Sequence, residues 1–302
     1  MTAIGRTLEE LITLHELEPG LHEVVTEGRV DASLISWFLD SHELDIPVFA
    51  IRDLIDLEDA KERIPDLDIT NNRKIIVDAA KYFTKSDRTV HGMSFVIDAD
   101  YDLIFERTVP NLQHLLITDY ASIELYCCNE KVIAKYLRVV LRAPKEIDAG
   151  PILAAISGGL IDLFVLRWVL HNAPGSPPIV LKRRIGVEND KLTVDAERIL
   201  RESLLAHSSK PSRKADPDAL VQKFQELRES VTEVMAYAVN GHDFIEYLCL
   251  YLKKCHAQLF REDRKGFKDP DTARNSLLGC LDVGDLAREN LFAQLLKRVR
   301  KS

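Results

Sequence analysis

Neither a GxxxxGK[ST] loop nor a GxGxxG turn occurs anywhere in this chain, so nothing in it predicts ATP hydrolysis or dinucleotide binding. Cysteine is scarce. The five thiols at 127, 128, 249, 255 and 280 form no CxxC pair and no metal-finger spacing. The expectation is reduced, buried thiols in a cytoplasmic protein, with adjacent Cys127 and Cys128 pointing to different sides of any regular element. The histidines at 22, 42, 91, 114, 171, 207, 242 and 256 are scattered, with no HxxxH pair. His242 follows a glycine at a predicted helix start, where capping or hydrogen bonding is its expected role. No apolar run of membrane-spanning length is uninterrupted: residues 151–170 come nearest to a membrane span, but Gly158, Gly159, Asp162 and Arg167 break them, which predicts a buried helix or a strand–helix pair. Arg6, Glu9, Glu10, Glu16 and Glu18 crowd the first twenty residues, so no secretory leader is expected. Nor does any period of 20–50 residues repeat, which argues against a solenoid.

What is present is an ordinary globular composition, 46% apolar and 29% charged over 302 residues, enough for one large domain or two modest ones. Charge is uneven. Residues 1–150 hold 16 Lys and Arg against 28 Asp and Glu, a net of −12, whereas residues 151–302 hold 24 against 20, a net of +4. A net charge of −8 argues against indiscriminate coating of DNA. A nuclease remains compatible with it, because divalent ions cancel part of the acidic half's charge.

Strand-like and helix-like segments alternate through the first half. Strands are predicted at 21–26, near 47–51, at 93–97 and at 112–118, and helices at 30–39, at 71–82 with Asn71 or Asn72 as cap, and from Ser122 onward. Such alternation implies a parallel sheet with helical crossovers, whose ligands bind outside the carboxyl ends of the strands. The second half reads as mostly helical, at 195–205, 217–239, 243–260 and 285–300. Loops are expected at 172–178 and 207–216. These features give an α/β catalytic domain over 1–145 and a mainly helical domain over 146–302. Trp37 and Trp168 lie in apolar stretches and are expected in the core.

The acids fall at the strand ends. Glu27 opens the run Glu27-Gly28-Arg29-Val30-Asp31, in which Gly28 lets the backbone turn closely onto a phosphate or metal, and Asp31 either reaches back to the same ion as Glu27 or favours the helix N-terminus. Asp98, Asp100 and Asp102 follow the apolar run 93–97. If the chain stays extended they share one face, where three like charges are unfavourable unless a cation lies among them. Asp119 ends the fourth strand, with Asp119 or Ser122 as the cap of the helix that follows and Glu124 in its first turn. Carboxylates gathered from neighbouring strand ends make an all-oxygen pocket for Mg²⁺ or Mn²⁺, the ions that organise phosphodiester chemistry.

In order and spacing these segments resemble the Toprim fold, the catalytic domain of topoisomerases, primases and the overcoming-lysogenization-defect nucleases. The resemblance covers residues 18–140 and is strongest to small Toprim effectors encoded beside an ABC-type ATPase. It implies a Mg²⁺-dependent nuclease with Glu27, Asp98, Asp100 and Glu124 as catalytic residues and Glu27, Asp31, Asp98 and Asp100 as metal ligands. It further implies an effector silenced by its ATPase partner, homodimeric when active, cutting host nucleic acid (transfer RNA is expected) on release. Asn240-Gly241-His242-Asp243-Phe244 is a further possible match to the pattern.

Basic candidates for phosphate contact are Lys182-Arg183-Arg184, then Lys210, Arg213 and Lys214, then Arg261, Arg264, Lys265 and Lys268, and the tail Lys297, Arg298, Arg300 and Lys301. Two other classes compete. A small-molecule phosphotransferase or phosphatase would use Asp98 as nucleophile and would not need Glu27. A non-catalytic acidic regulator would need none of these acids.

Overall fold

The computed structural model describes residues 5–86, 88, 90–105, 110–181, 184–207, 215–232 and 235–300. The chain forms two compact units. The first comprises Met1–Ala99, Thr108–Asp119 and Asp282–Ser302, the second Asp100–Arg107 and Tyr120–Leu281. This division departs from the expected break after residue 145. Residues 120–145 join the second unit, and the C-terminal segment returns to the first.

In the first unit, α1 (Leu8–Leu17) begins at a capping box: the Thr7 hydroxyl accepts from the Glu10 N–H, and the Glu10 carboxylate accepts from the Thr7 N–H. After it come β1 (Glu23–Thr26), α2 (Arg29–Asp40), β2 (Val48–Ala50), the short α3 (Ile51–Leu54) and α4 (Leu57–Arg63), α5 (Asn72–Lys85), β3 (Met93–Ile97) and β4 (Leu115–Ile117). The four strands are parallel in the order β2-β1-β3-β4, with Val24 opposite both Val48 and Ser94, and Val96 opposite Leu116. The central strands β1 and β3 are buried along their whole length, as a sheet covered on both faces requires.

Asn71 caps α5 by accepting from the Lys74 N–H, and the helix buries Ile75, Ile76, Ala79, Ala80 and Phe83. That stripe packs with Leu8, Leu11 and Ile12 of α1 onto Val25, Phe95 and Ile97 of the sheet. Phe83 meets Phe95 edge-on at 5.3 Å. Each such side chain contributes on the order of 2 kcal/mol by leaving water. Trp37 is not core: it sits on the exposed side of α2 with 39% of its surface in solvent.

The second unit opens with a tight helical turn, Ile123–Cys127, and α6 (Glu130–Lys135), capped by Asn129. Next is α7 (Ala149–His171), the one helix among the described residues long and apolar enough to cross a bilayer; 56% of that apolar window is buried within the fold. Its charged residues are paired. Asp162 accepts from Arg228, and Arg167 makes a two-pronged contact with Asp243 at 2.6 and 2.7 Å. Trp168 stacks on Phe105 at 4.6 Å.

Beyond α7 lies a hairpin not anticipated from the sequence: β5 (Ile185–Glu188) pairs antiparallel with β6 (Lys191–Val194). Asn189 and Asp190 turn it at φ 50° and 57°, the paired left-handed geometry of a tight hairpin that Asn and Asp tolerate. The helices α8 (Ala196–His207), α9 (Pro217–Ser230), α10 (Gly241–Cys255) and α11 (Pro270–Leu278) complete the unit. The expected helix 217–239 stops at Ser230, and the expected helix 243–260 begins two residues earlier and stops at Cys255. All five cysteines are free, with Cys127, Cys249 and Cys280 buried.

The C-terminal segment gives the first unit two helices where one was expected, α12 (Val283–Leu286) and α13 (Asn290–Val299). Leu291, Phe292 and Leu295 form the buried stripe of α13, and Phe292 packs on Phe38 of α2 with ring centroids 4.7 Å apart. The two faces of the sheet are thus covered by α1 and α5 on one side and by α2 and α13 on the other.

Candidate functional site

At the carboxyl edge of the first unit's sheet, β1 ends at Thr26, whose hydroxyl donates to the Gly28 carbonyl at 2.8 Å and bends the chain out of the sheet. This turn sends the half-buried Glu27 side chain across to β3, where its Oε1 accepts the Asp98 main-chain N–H at 3.0 Å. Main-chain position is fixed as well: Asn72, in the first turn of α5, donates from Nδ2 to the Glu27 carbonyl at 2.7 Å. Its neighbour Arg73 donates to the Asp98 carbonyl. Ala99 is held from β4 by the Thr118 hydroxyl, which accepts its N–H at 2.9 Å. Glu27 and Asp98 are therefore brought together by their strands, with a guanidinium beside them.

Asp31 lies at the same edge. Its Oδ2 accepts the Gly28 N–H at 3.0 Å, so this acid closes the first turn of α2 and also stands one residue from Glu27. This is the helix-start role that the sequence offered for Asp31. Asp119, at the end of β4, caps a helix other than the one expected: its Oδ2 accepts the Leu291 N–H of α13 at 3.0 Å.

The extended run of acids expected at 98, 100 and 102 does not form. The strand ends at Ile97, and Asp100 is left-handed at φ 50°. Aspartate adopts that conformation readily in turns, and here it reverses the alternation that a common face would need.

Asp100 and Glu124 belong to the second unit. Within it the Asp100 N–H donates to the Ala121 carbonyl at 2.7 Å. Glu124 is buried in the first turn of its short helix. Its carboxylate lies against the N-terminus of α10, so close that a β-carbon on Gly241 would overlap both Glu124 and the buried Ser122 hydroxyl. The exposed His242 ring is 3.7 Å from Glu124 Oε1. Asn240, not His242, caps α10, accepting from the main chain of His242 and Asp243.

Of the basic candidates, Lys182, Arg183, Lys210, Arg213, Lys214 and Lys301 lie outside the described residues. Arg184 forms a two-pronged pair with Glu202 at 2.6 and 3.0 Å, which engages its guanidinium internally. Arg264 donates to the Leu141 carbonyl.

Sequence reasoning missed Arg73 and named Asn72 only as a candidate cap; the sign of both was their position at the start of α5. It also missed His15, which is fully buried and joins Glu23 Oε2 at 3.0 Å and the His91 carbonyl at 2.8 Å. Arg6 reaches the other Glu23 oxygen at 2.9 Å. Burial by itself would raise the Glu23 carboxyl; hydrogen bonds from His15 and Arg6 outweigh it and hold the group below its ordinary value.

The donors around Glu27 and Asp98 are oxygens, the chemistry that Mg²⁺ and Mn²⁺ take. Among the described residues, no three His, Cys, Asp or Glu side chains are drawn together at ligand spacing. A Mg²⁺ site does not demand three, since this ion keeps several waters and is bound through one or two carboxylates plus substrate phosphate. Comparison with protein-family models gives no match, and neither does comparison with curated proteins.

Proposed function

We propose that this chain is a metal-dependent nuclease of Toprim type, with Glu27 and Asp98 as the carboxylates that hold its Mg²⁺ or Mn²⁺. The observation that carries the reading is the hydrogen bond from the Asp98 N–H to Glu27, which ties two strand ends together at the edge where parallel sheets bind ligands. Asp31 supports the turn from beside Glu27, and Arg73 supplies positive charge suited to a phosphate. Asp100 and Glu124 enter on the sequence pattern alone. When bound, the ion lowers the pKa of a coordinated water and stabilises charge on the phosphoryl group. Glu27 positions that ion or takes the proton of the attacking water.

Within this class the pattern from Phe95 to Asp102 and from Thr118 to Glu124 resembles AriB, the effector of the PARIS anti-phage system. By that likeness the partner is an ABC-type ATPase resembling AriA, the substrate is host transfer RNA, the active form is a homodimer and the setting is the cytoplasm. The test is expression of the chain, alone and beside such an ATPase, with cellular RNA and DNA examined for fragments. Fragments that vanish with Glu27→Ala support the proposal. Intact nucleic acid under every condition, or fragments that persist in the variant, would overturn it.

A further inference from the structure

At the opposite, amino edge of the same sheet lies a cleft of about 370 Å³ lined by His22, His91, Ser94, Gln113, His114 and Arg298. All six belong to the first unit. Gly92 shapes the rim. At φ +74° it passes so close to the Leu21 carbonyl that a β-carbon would overlap it, and its own carbonyl accepts the Glu23 N–H at 3.1 Å.

Arg298 enters from the last turn of α13. It donates to the Gln113 carbonyl at 2.9 Å, to the Ser94 hydroxyl at 3.3 Å and to the Leu115 carbonyl at 3.5 Å. These partners are neutral oxygens, and among the described residues no carboxylate pairs with this guanidinium. It is half-buried, and burial lowers its pKa. A partly desolvated cation without a counter-charge is costly, so a fold that keeps one in a cleft invites an anion. Glu23 does not serve. It lies on the other face of β1, where His15 and Arg6 already engage it.

The remaining polar lining groups are three imidazoles, the Gln113 amide and the Ser94 hydroxyl. Burial lowers the pKa of both His22 and His114, and His114 Nδ1 donates to the Met93 carbonyl at 3.2 Å, so in the neutral ring Nε2 is an acceptor and His114 lines the cleft without donating to an anion. One guanidinium, the His22 and His91 rings, an amide and a hydroxyl surround the cleft with donors spread in several directions, more than the flat pair of oxygens of a carboxylate can meet at once. A tetrahedral phosphate can use them. The cleft also has room for a substituent, since it falls at the small end of ordinary ligand pockets.

We propose that this cleft binds a phosphate dianion, carried by a small phosphomonoester or free in solution, at a site separate from the Glu27 edge. It stands whether or not the nuclease reading does.

The test is a titration of the full chain with inorganic phosphate and, separately, adenosine 5′-monophosphate, at constant ionic strength in chloride, following the histidine ring signals by NMR. The expected result is a saturable shift of the His22, His91 and His114 rings below about 10 mM ligand. Tighter binding of the nucleotide identifies a phosphomonoester site, and equal binding identifies a site for the phosphate group alone. Arg298→Gln should weaken binding about tenfold or more. Because that change also removes contacts to β4, the surface substitution His91→Gln provides a second variant, expected to weaken binding severalfold. No saturable shift of these rings with either ligand would overturn the proposal, as would undiminished binding in folded Arg298→Gln.

Discussion

The carboxylate of Glu27 accepts the main-chain N–H of Asp98 at 3.0 Å across 71 residues of sequence. The contact joins the ends of two adjacent parallel strands, so the two acids share an edge by virtue of sheet topology rather than local chain geometry. Its consequence is that Glu27 is oriented before any ligand arrives.

Glu27→Gln should abolish cleavage and leave the fold intact. The amide oxygen still accepts from Asp98, but the charge that draws a cation is gone. Nuclease activity in Mg²⁺ should fall by about 100-fold or more, with an unchanged circular dichroism spectrum. A phosphatase using Asp98 as nucleophile would survive this substitution, and a non-catalytic regulator would show no Mg²⁺-linked activity to lose.

Asp119→Ala separates a structural acid from the proposed metal ligands. Losing the cap of α13 should cost about 1 kcal/mol, seen as a lower urea midpoint, while cleavage per folded molecule stays the same.

The pair Arg167–Asp243 holds α7 to α10 with the aspartate almost fully buried. Asp243→Ala leaves the guanidinium without its partner and should destabilise the second unit by about 3 kcal/mol. Thermal unfolding of the variant checks this.

Gly241→Ala tests the close approach of α10 to Glu124. The added methyl overlaps the Ser122 hydroxyl and the Glu124 carboxylate, so overpacking should cost about 1–3 kcal/mol. If Glu124 takes part in catalysis, activity should fall further than stability does.

Acid should weaken the protein in two stages. Burial holds His22 and His114 below their ordinary pKa, so the unfolded chain takes up their protons first, and stability is lost as pH falls below about 6.5. Glu23, also held below its ordinary value, contributes stability that is present above about 4.3 and is lost as pH falls through its folded pKa. Melting temperature measured from pH 7 to pH 3 should show both declines, and His114→Gln should flatten the first.

Much of the first unit was legible because its strands are short apolar runs, and β1 and β3 are each followed directly by an acid. Met93–Ile97 appears at its full predicted length, and Asn71 caps α5 as its side-chain chemistry requires. The strand-end positions of Glu27 and Asp98 were readable for the same reason. Asp100 was misplaced because alternation assumes an extended chain, and its left-handed φ is a tertiary choice that several neighbouring turns would also permit. Asp119 could not be assigned to α13, since its partner lies 172 residues away. The β5–β6 hairpin was missed because four-residue strands carry too little periodicity to stand out among helices, although Asn189-Asp190 was a usable turn signal. His15 and Glu23 bury polar groups in an otherwise apolar setting, a pairing that no local pattern announces.

The central claim is that Glu27 and Asp98 hold one divalent cation between them, and a Mn²⁺ titration of the purified chain tests it most directly, with free ion followed by electron paramagnetic resonance. The account predicts saturable binding by the unaltered protein, weakened about 10–100-fold by Glu27→Gln and likewise by Asp98→Asn. No binding by the unaltered protein, or the same affinity in all three, would contradict it.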